Sequence, residues 1–392
     1  MKKSSKIILA LIFLLPVIQN LWALDFGVFL KNDTKISTQQ FTSAGLNQQD
    51  SLIGWLRAPI SSDGKIYFAL EADVTLIYSI SDFANADTGK FAFLTNLSLA
   101  KLTMYKNIWN GILQFNVGRF LNADATGKIL SQEIDGAQLA FNSNIVRAII
   151  YAGYTGFTNS RYDTIIETGD TTFSQDTNAA YQFNSPYVLT GVSVSLPYLF
   201  ANQTVGLEGF ASFGVGGFSG TNFDNNKIYI TALMNGPIVK NLYYSASTTF
   251  GINNGASNLS KVSLTYYPQF LNSSVSFEAL YASGNNGFLT PFYGITSQTG
   301  YYAYGRTTEY TGLIKAGLSG TIRPIDSFFV NLGTDLIFSC LDNFSYTGFQ
   351  WFTQLQFQVY TDLKVGFSAY QFFGLDSNAN NTAFSLNLAF AF

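Results

Sequence analysis

The chain has 392 residues, a formal net charge of −3, and no histidine. Charged residues make up only 11% and aromatic residues 16%, against about a quarter charged in a soluble domain, so an ordinary solvated surface is excluded. The missing His and the single Cys340 exclude zinc or iron centres of the usual His/Cys kind and any internal disulfide.

The first element is a leader. "MKKSSK" is basic, residues 7–18 are apolar, and "NLWA" ends in a small residue suited to cleavage after Ala23. Twelve apolar residues are too few to span a bilayer as a helix, so 1–23 reads as a secretory signal peptide and 24–392 as the mature chain. Removing Lys2, Lys3 and Lys6 with the leader leaves 18 of the 21 basic residues against 24 acidic ones. That balance argues against nucleic acid as a partner. No later stretch is apolar for eighteen residues, so no transmembrane helix is expected.

From Leu24 onward the dominant period is two. In "KIYFALEADVTLIYSI", Ile66, Phe68, Leu70, Ala72, Val74, Leu76, Tyr78 and Ile80 share one phase, opposite Lys65, Glu71, Asp73, Thr75 and Ser79. Such alternation marks strands with one apolar face. It predicts eighteen of them, at 24–33, 51–59, 65–80, 91–105, 111–120, 133–142, 145–155, 186–198, 203–214, 226–235, 241–251, 258–267, 273–284, 310–322, 327–340, 349–360, 362–373 and 382–392. Sixteen strands is the alternative, reached by merging a pair at 24–59. Links after even-numbered strands are short, whereas those after odd-numbered strands tend to be longer, as at 34–50, 156–185 and 285–309.

The charges Lys65, Glu71, Asp73, Arg147, Glu208, Lys261, Glu278, Lys315, Asp335 and Lys364 fall in the phase opposite the apolar set. A soluble sandwich would obey that rule too. The scarcity of charge, the asymmetry of the links and the leader favour a transmembrane up-and-down antiparallel β-barrel, the all-β architecture of outer membranes. Lys101 stands in phase with Leu97 and Leu99, which calls for a bulge in that strand or a different register.

The chain ends on "FSLNLAFAF", with Phe384, Leu386, Leu388, Phe390 and Phe392 in one phase. Backbone groups in lipid must be paired within the protein, so a spanning sheet has to close and its last strand must pair with its first. This ending resembles the C-terminal signature of bacterial outer-membrane β-barrel proteins, in which the final strand is also read by the barrel assembly machinery. The resemblance implies an outer-membrane location, contact with its lipid, and a porin-like barrel.

No enzyme is expected. Outer-membrane barrel hydrolases and acyl transferases rely on a His base, and the carboxylates Glu71 and Asp73, on one face of a strand, read as wetted wall residues. No cofactor or metal is implied. An eighteen-stranded barrel is too wide for side chains to fill, so it should hold water. The lumen charges are balanced, with Lys65, Arg147, Lys261, Lys315 and Lys364 against Glu71, Asp73, Glu208, Glu278 and Asp335, which predicts weak ion selectivity.

Residues 117–141, "VGRFLNADATGKILSQEIDGAQLAF", resemble the part of porins where the fifth strand ends and the third outer loop enters the pore. The resemblance makes Asp124, Glu133 and Asp135 the acidic side of a constriction and Arg119 and Arg147 its basic side. The loop spans about twelve residues, so an ordinary surface loop with a turn at Gly127 is the competing reading. The link 156–185 carries Asp163, Glu167, Asp170 and Asp176 against Arg161, and 285–309 carries Phe288, Phe292, Tyr293, Tyr301, Tyr302 and Tyr304. Three functions stay open: a porin-like channel for small hydrophilic solutes, a surface-exposed adhesin or binding protein on a plugged barrel, and a sugar-type channel guided by Gln350, Gln354, Gln356 and Gln358. Porin-like proteins are often homo-trimers, and the sequence locates no trimer face.

Overall fold

The computed structural model describes residues 24–39, 43–83, 89–162, 165, 179–215, 226–253, 255–270, 272–285, 287–296, 311–341, 343–375 and 380–391. The leader, Asp163, Glu167, Asp170, Asp176, Tyr301, Tyr302, Tyr304 and Phe392 lie outside the described residues. The strands are β1 (Asp25–Gln39), β2 (Ser43–Pro59), β3 (Ile66–Ile80), β4 (Lys90–Ile108), β5 (Gly111–Ala123) and β6 (Ser131–Ser143). There follow β7 (Arg147–Tyr154), β8 (Tyr187–Phe200), β9 (Gln203–Gly214), β10 (Lys227–Val239), β11 (Leu242–Ile252) and β12 (Ala256–Tyr266). The last six are β13 (Ser274–Ala282), β14 (Leu313–Ile325), β15 (Phe328–Ser339), β16 (Ser345–Tyr360), β17 (Leu363–Gly374) and β18 (Asn381–Ala391).

Each strand pairs antiparallel with its neighbours in sequence, and β1 pairs with β18, so the eighteen strands close into one barrel. In that seam Leu30, Thr34 and Ile36 stand opposite Phe390, Leu386 and Phe384, so the alternating C-terminal strand is one side of the closure. The outward phase is apolar and exposed, as at Leu52, Val74, Leu76, Leu139, Val192, Leu207, Leu332, Leu386 and Leu388. That is the surface a lipid environment solvates and water does not.

Three local expectations are corrected. The segment 34–50 is not a long link: β1 runs to Gln39 and β2 begins at Ser43, so the first two strands are separate and sixteen is excluded. Lys65 lies in the turn before β3, half-exposed and ion-paired to Asp63 at 2.9 Å, so it marks the rim at the short-turn end and not the lumen wall. Asp63, capped by Ser61 and Lys65, is held well below the usual carboxylate range by those hydrogen bonds.

The connection between β5 and β6 is also shorter than expected, residues 124–130, because both strands extend past their predicted ends. The conflict at Lys101 resolves as a bulge. Glu71 pairs with Leu99 but Ala72 with Leu97, which leaves Ser98 as an extra residue. An extra residue shifts every later side chain to the other face, so Lys101 lies opposite Ala69 on the lumen side. The Ser98 hydroxyl donates to Glu71 Oε1 at 2.8 Å across the bulge.

Candidate functional site

The upper half of the β5–β6 hairpin leaves the wall. Pairing between β4 and β5 stops at Ala100 opposite Arg119, and beyond that β4 pairs only with β3. The bend runs through Gly118, Gly136 and Gly153, which face one another across β5, β6 and β7. Gly118 has a φ of 119°, and a Cβ there would meet the Ala100 carbonyl oxygen at 2.1 Å. At Gly136 a Cβ would meet the Ala152 oxygen at the same distance. Only glycine adopts that φ without strain or lets backbones approach so closely.

The bend opens an edge on β4, and backbone groups at Thr95 and Leu97 on it are met from within. Arg119 takes a bidentate pairing to Asp135 at 2.9 and 2.7 Å. Its remaining donors reach the Leu97 carbonyl (3.2 Å), the Tyr181 hydroxyl (3.2 Å) and the Phe157 carbonyl (2.8 Å). Residues 155–162 and 179–186 of the following link meet the opened edge, with Thr95 N donating to the Ala180 oxygen and Asn159 Nδ2 to the Thr95 oxygen. Asn96 Nδ2 donates to Glu133 at 2.9 Å. Tyr162 donates to Asp73, and burial together with that carboxylate pushes the Tyr162 hydroxyl pKa well up, so the donor keeps its proton at neutral pH.

Inside the barrel the hairpin tip is tied down by Asp124. Its Oδ1 accepts from Ile129 N and Leu130 N at 2.9 and 2.8 Å, and its Oδ2 accepts from Thr126. Ala125 N then donates to Glu208 of β9 at 2.8 Å. Residues 290–296 of the link after β13 reach this tip: Ile295 N and Thr296 N both donate to the Ile129 oxygen. Lys227 Nζ and the Tyr229 hydroxyl hold the Gly294 and Tyr293 carbonyls at 2.9 and 2.5 Å. Ile129, Leu130, Phe292 and Ile295 are fully buried, packed with Phe120, Ile134, Tyr151, Tyr187, Phe210 and Tyr229 from the inner wall. The long-link end of the lumen therefore carries an apolar plug.

The remaining wall is polar. Lys261 pairs with Glu278 at 2.8 Å, Glu278 with Lys315 at 3.0 Å, and Lys315 stands 3.8 Å from Asp335. Gln350 donates to Asp335 and accepts from the Tyr370 hydroxyl at 2.6 Å. These side chains form a ladder across β12–β17, and its two cations and two carboxylates cancel. A cavity of about 300 Å³ against β15–β18 has Gln354, Gln356, Lys364 and Asn387 in its lining, and one of about 540 Å³ against β1–β4 has Asn47, Gln49, Ser79 and Lys90. Both have Asp33 and Lys35 of β1 in their lining.

Changing Lys315 to Met should leave one cation against two carboxylates in the ladder. In a planar bilayer under a KCl gradient, the reversal potential should then move towards cation preference. An unchanged potential would mean the ladder does not face the ion path.

The structure gathers Arg119, Asp124, Glu133 and Asp135 at the infolded hairpin, but Arg119 and Asp135 are in direct contact and not facing across a gap. Arg147 is elsewhere. It pairs with Asn142, seven residues along β6 from Asp135, roughly 23 Å away at strand rise. Glu71, Asp73, Glu208, Lys261, Glu278, Lys315, Asp335 and Lys364 line the inner face.

Sequence reasoning missed the apolar lumen residues. The available signal was apolar character in both phases at strand ends, as in Phe120–Leu121 and Ile149–Ile150–Tyr151, and the pair Ile129–Leu130 inside a link.

No protein-family model matches the chain, and no curated protein matches it. Solved structures do. Pseudomonas aeruginosa OccK5 (OpdH) superposes with a TM-score of 0.61 at 10% identity, over 95% of this chain and 98% of that one. Acinetobacter baumannii OccAB1 gives 0.58 at 11%, over 95% and 97%. Pseudomonas aeruginosa OccK2 (OpdF), solved in complex with glucuronate, gives 0.58 at 12%, over 95% and 98%. The fold is that of a porin-like outer-membrane β-barrel, a closed all-β cylinder of eighteen strands.

Proposed function

We propose that the chain is an outer-membrane channel through which small hydrophilic solutes diffuse passively, with weak ion preference and no chemical step. In this reading residues 1–23 direct export, the barrel assembly machinery reads the strand ending at Phe392, and the outward apolar phase meets lipid. The observation that carries it is the pair of cavities lined by polar and charged side chains along β1–β4 and β15–β18, beside a plug built from β5–β10 and the link after β13. The balanced ladder supports weak selectivity. Liposomes containing the refolded protein should swell in isotonic solutions of small sugars and amino acids, with rates that fall as solute size rises. Swelling no faster than protein-free liposomes would overturn the proposal.

A second reading rests on the amides. Gln354, Gln356 and Asn387 line one cavity with Asp33, Lys35 and Lys364, a set able to hydrogen-bond hydroxyl-rich solutes. The fold neighbour OccK2 was crystallised with glucuronate, which suits that chemistry. A sugar-type channel should show current block by a sugar acid, and Gln354→Leu with Gln356→Leu should weaken it. Current that no sugar blocks would leave only the general channel.

A further inference from the structure

The lipid-facing phase of β1–β3 holds one carboxylate. Asp50 stands mid-strand in β2, opposite Asn32 of β1 and Leu76 of β3, and Leu52 and Leu76 around it are exposed to the outside. Asn32 Nδ2 donates to Asp50 Oδ1 at 2.6 Å and Gln48 Nε2 to Oδ2 at 2.9 Å, while Thr34 Oγ1 donates to Asn32 Oδ1 at 3.1 Å. Among the described residues, and apart from the infolded hairpin, the other charge on this phase is Lys106. It sits two residues from the short-turn end of β4, at the rim. A neutral group on the same face, Thr248, Asn258 and Ser260, closes its bonds on itself and on the Thr249 carbonyl.

A carboxylate in hydrocarbon is costly, and in membranes such groups mark contacts with protein. Acyl chains offer Asp50 no further donor. The patch itself carries both amide donors and carboxylate acceptors, so it complements a copy of itself. Just along the strands the surface is low: a Cβ added at Gly54 would meet nothing within 4 Å, and Gly54 lies between Val28 and Ala72. Small residues let two backbones approach closely.

We infer that this face, centred on Asn32, Thr34, Gln48 and Asp50, is where a second copy of the chain docks. A self-complementary patch meets its own image across a two-fold axis, which in a membrane lies along the bilayer normal. The Asn32 amide of each copy then serves the carboxylate of the other, with Gln48 at the margin of the contact.

The test is oxidative cross-linking in reconstituted bilayers, using the full barrel with Cys340→Ala. Gln48→Cys should give a disulfide-linked dimer, whereas Val262→Cys, exposed on the outward face of β12, should not. Adding Asp50→Leu to Gln48→Cys should reduce the dimer several-fold while the barrel still folds, judged by its heat-modifiable mobility on gels. No Gln48→Cys dimer, equal dimer from Val262→Cys, or dimer indifferent to Asp50→Leu would each overturn the assignment. So would protection of Gln48→Cys by lipopolysaccharide without cross-linking, since that would make a lipid the occupant.

Discussion

Replacing Arg119 with Leu should yield a barrel that melts earlier and conducts more. The guanidinium is buried and every donor it has is used: on Asp135, on the exposed edge of β4 at Leu97, and on the link 155–186 at Phe157 and Tyr181. Removing one partner of a buried pair costs about 3–5 kcal/mol, most of it from the charge left behind. Asp135 and the Leu97 carbonyl would lose the guanidinium together, and the link would lose one of its ties to β4 while those at Thr95 stay. The predicted outcome is a lower unfolding midpoint in urea, with larger and noisier single-channel currents. Arg119→Leu combined with Asp135→Asn should recover part of the stability, because the orphan charge is gone, but none of the current's steadiness. A variant with wild-type stability and current would mean Arg119 does not fasten the link.

Gly118→Val should be worse for folding than for conduction. A φ of 119° is open to glycine and strained for any L side chain, at about 1–3 kcal/mol for the backbone alone. The clash with the Ala100 oxygen adds to that, and the hairpin can relieve it only by straightening back towards β4. Refolding should therefore give a smaller fraction of heat-modifiable barrel, and the molecules that do fold should carry higher current. Gly136→Ala tests the close approach without the unusual φ, and should show the same trend more mildly. Refolding yields equal to wild type in both would contradict the bend.

The strands were legible in the sequence because lipid on one side and polar lumen on the other force a period of two, and each of the eighteen appears where alternation places it. Alternation fails where both sides are polar. In 34–50 the outward positions Thr34, Gln48 and Asp50 are as hydrophilic as the inward Lys35, Asn47 and Gln49, so the facing halves of β1 and β2 read as a link.

The plug was not legible, because its burial depends on pairing between distant links such as Ile129 and Ile295, and neither neighbourhood announces the other. The Arg119–Asp135 pair does leave a trace in the sequence. Arg119 lies between Val117 and Leu121, and Asp135 and Glu133 share a phase with Leu139, all in positions that lipid would penalise. A charge in the apolar phase is a sign that the phase is covered there, as it is once the hairpin turns inward. Lys101 was the readable version of the same conflict, and a single inserted residue resolved it.

The measurement that tests the channel most directly is single-channel conductance of the refolded mature protein in a planar bilayer under a salt gradient. Discrete, long-lived steps with a small reversal potential are expected, because cavities lined by polar side chains lie beside the plug and the ladder's charges cancel. A folded barrel that gives no steps would contradict it and make the infolded links a complete closure.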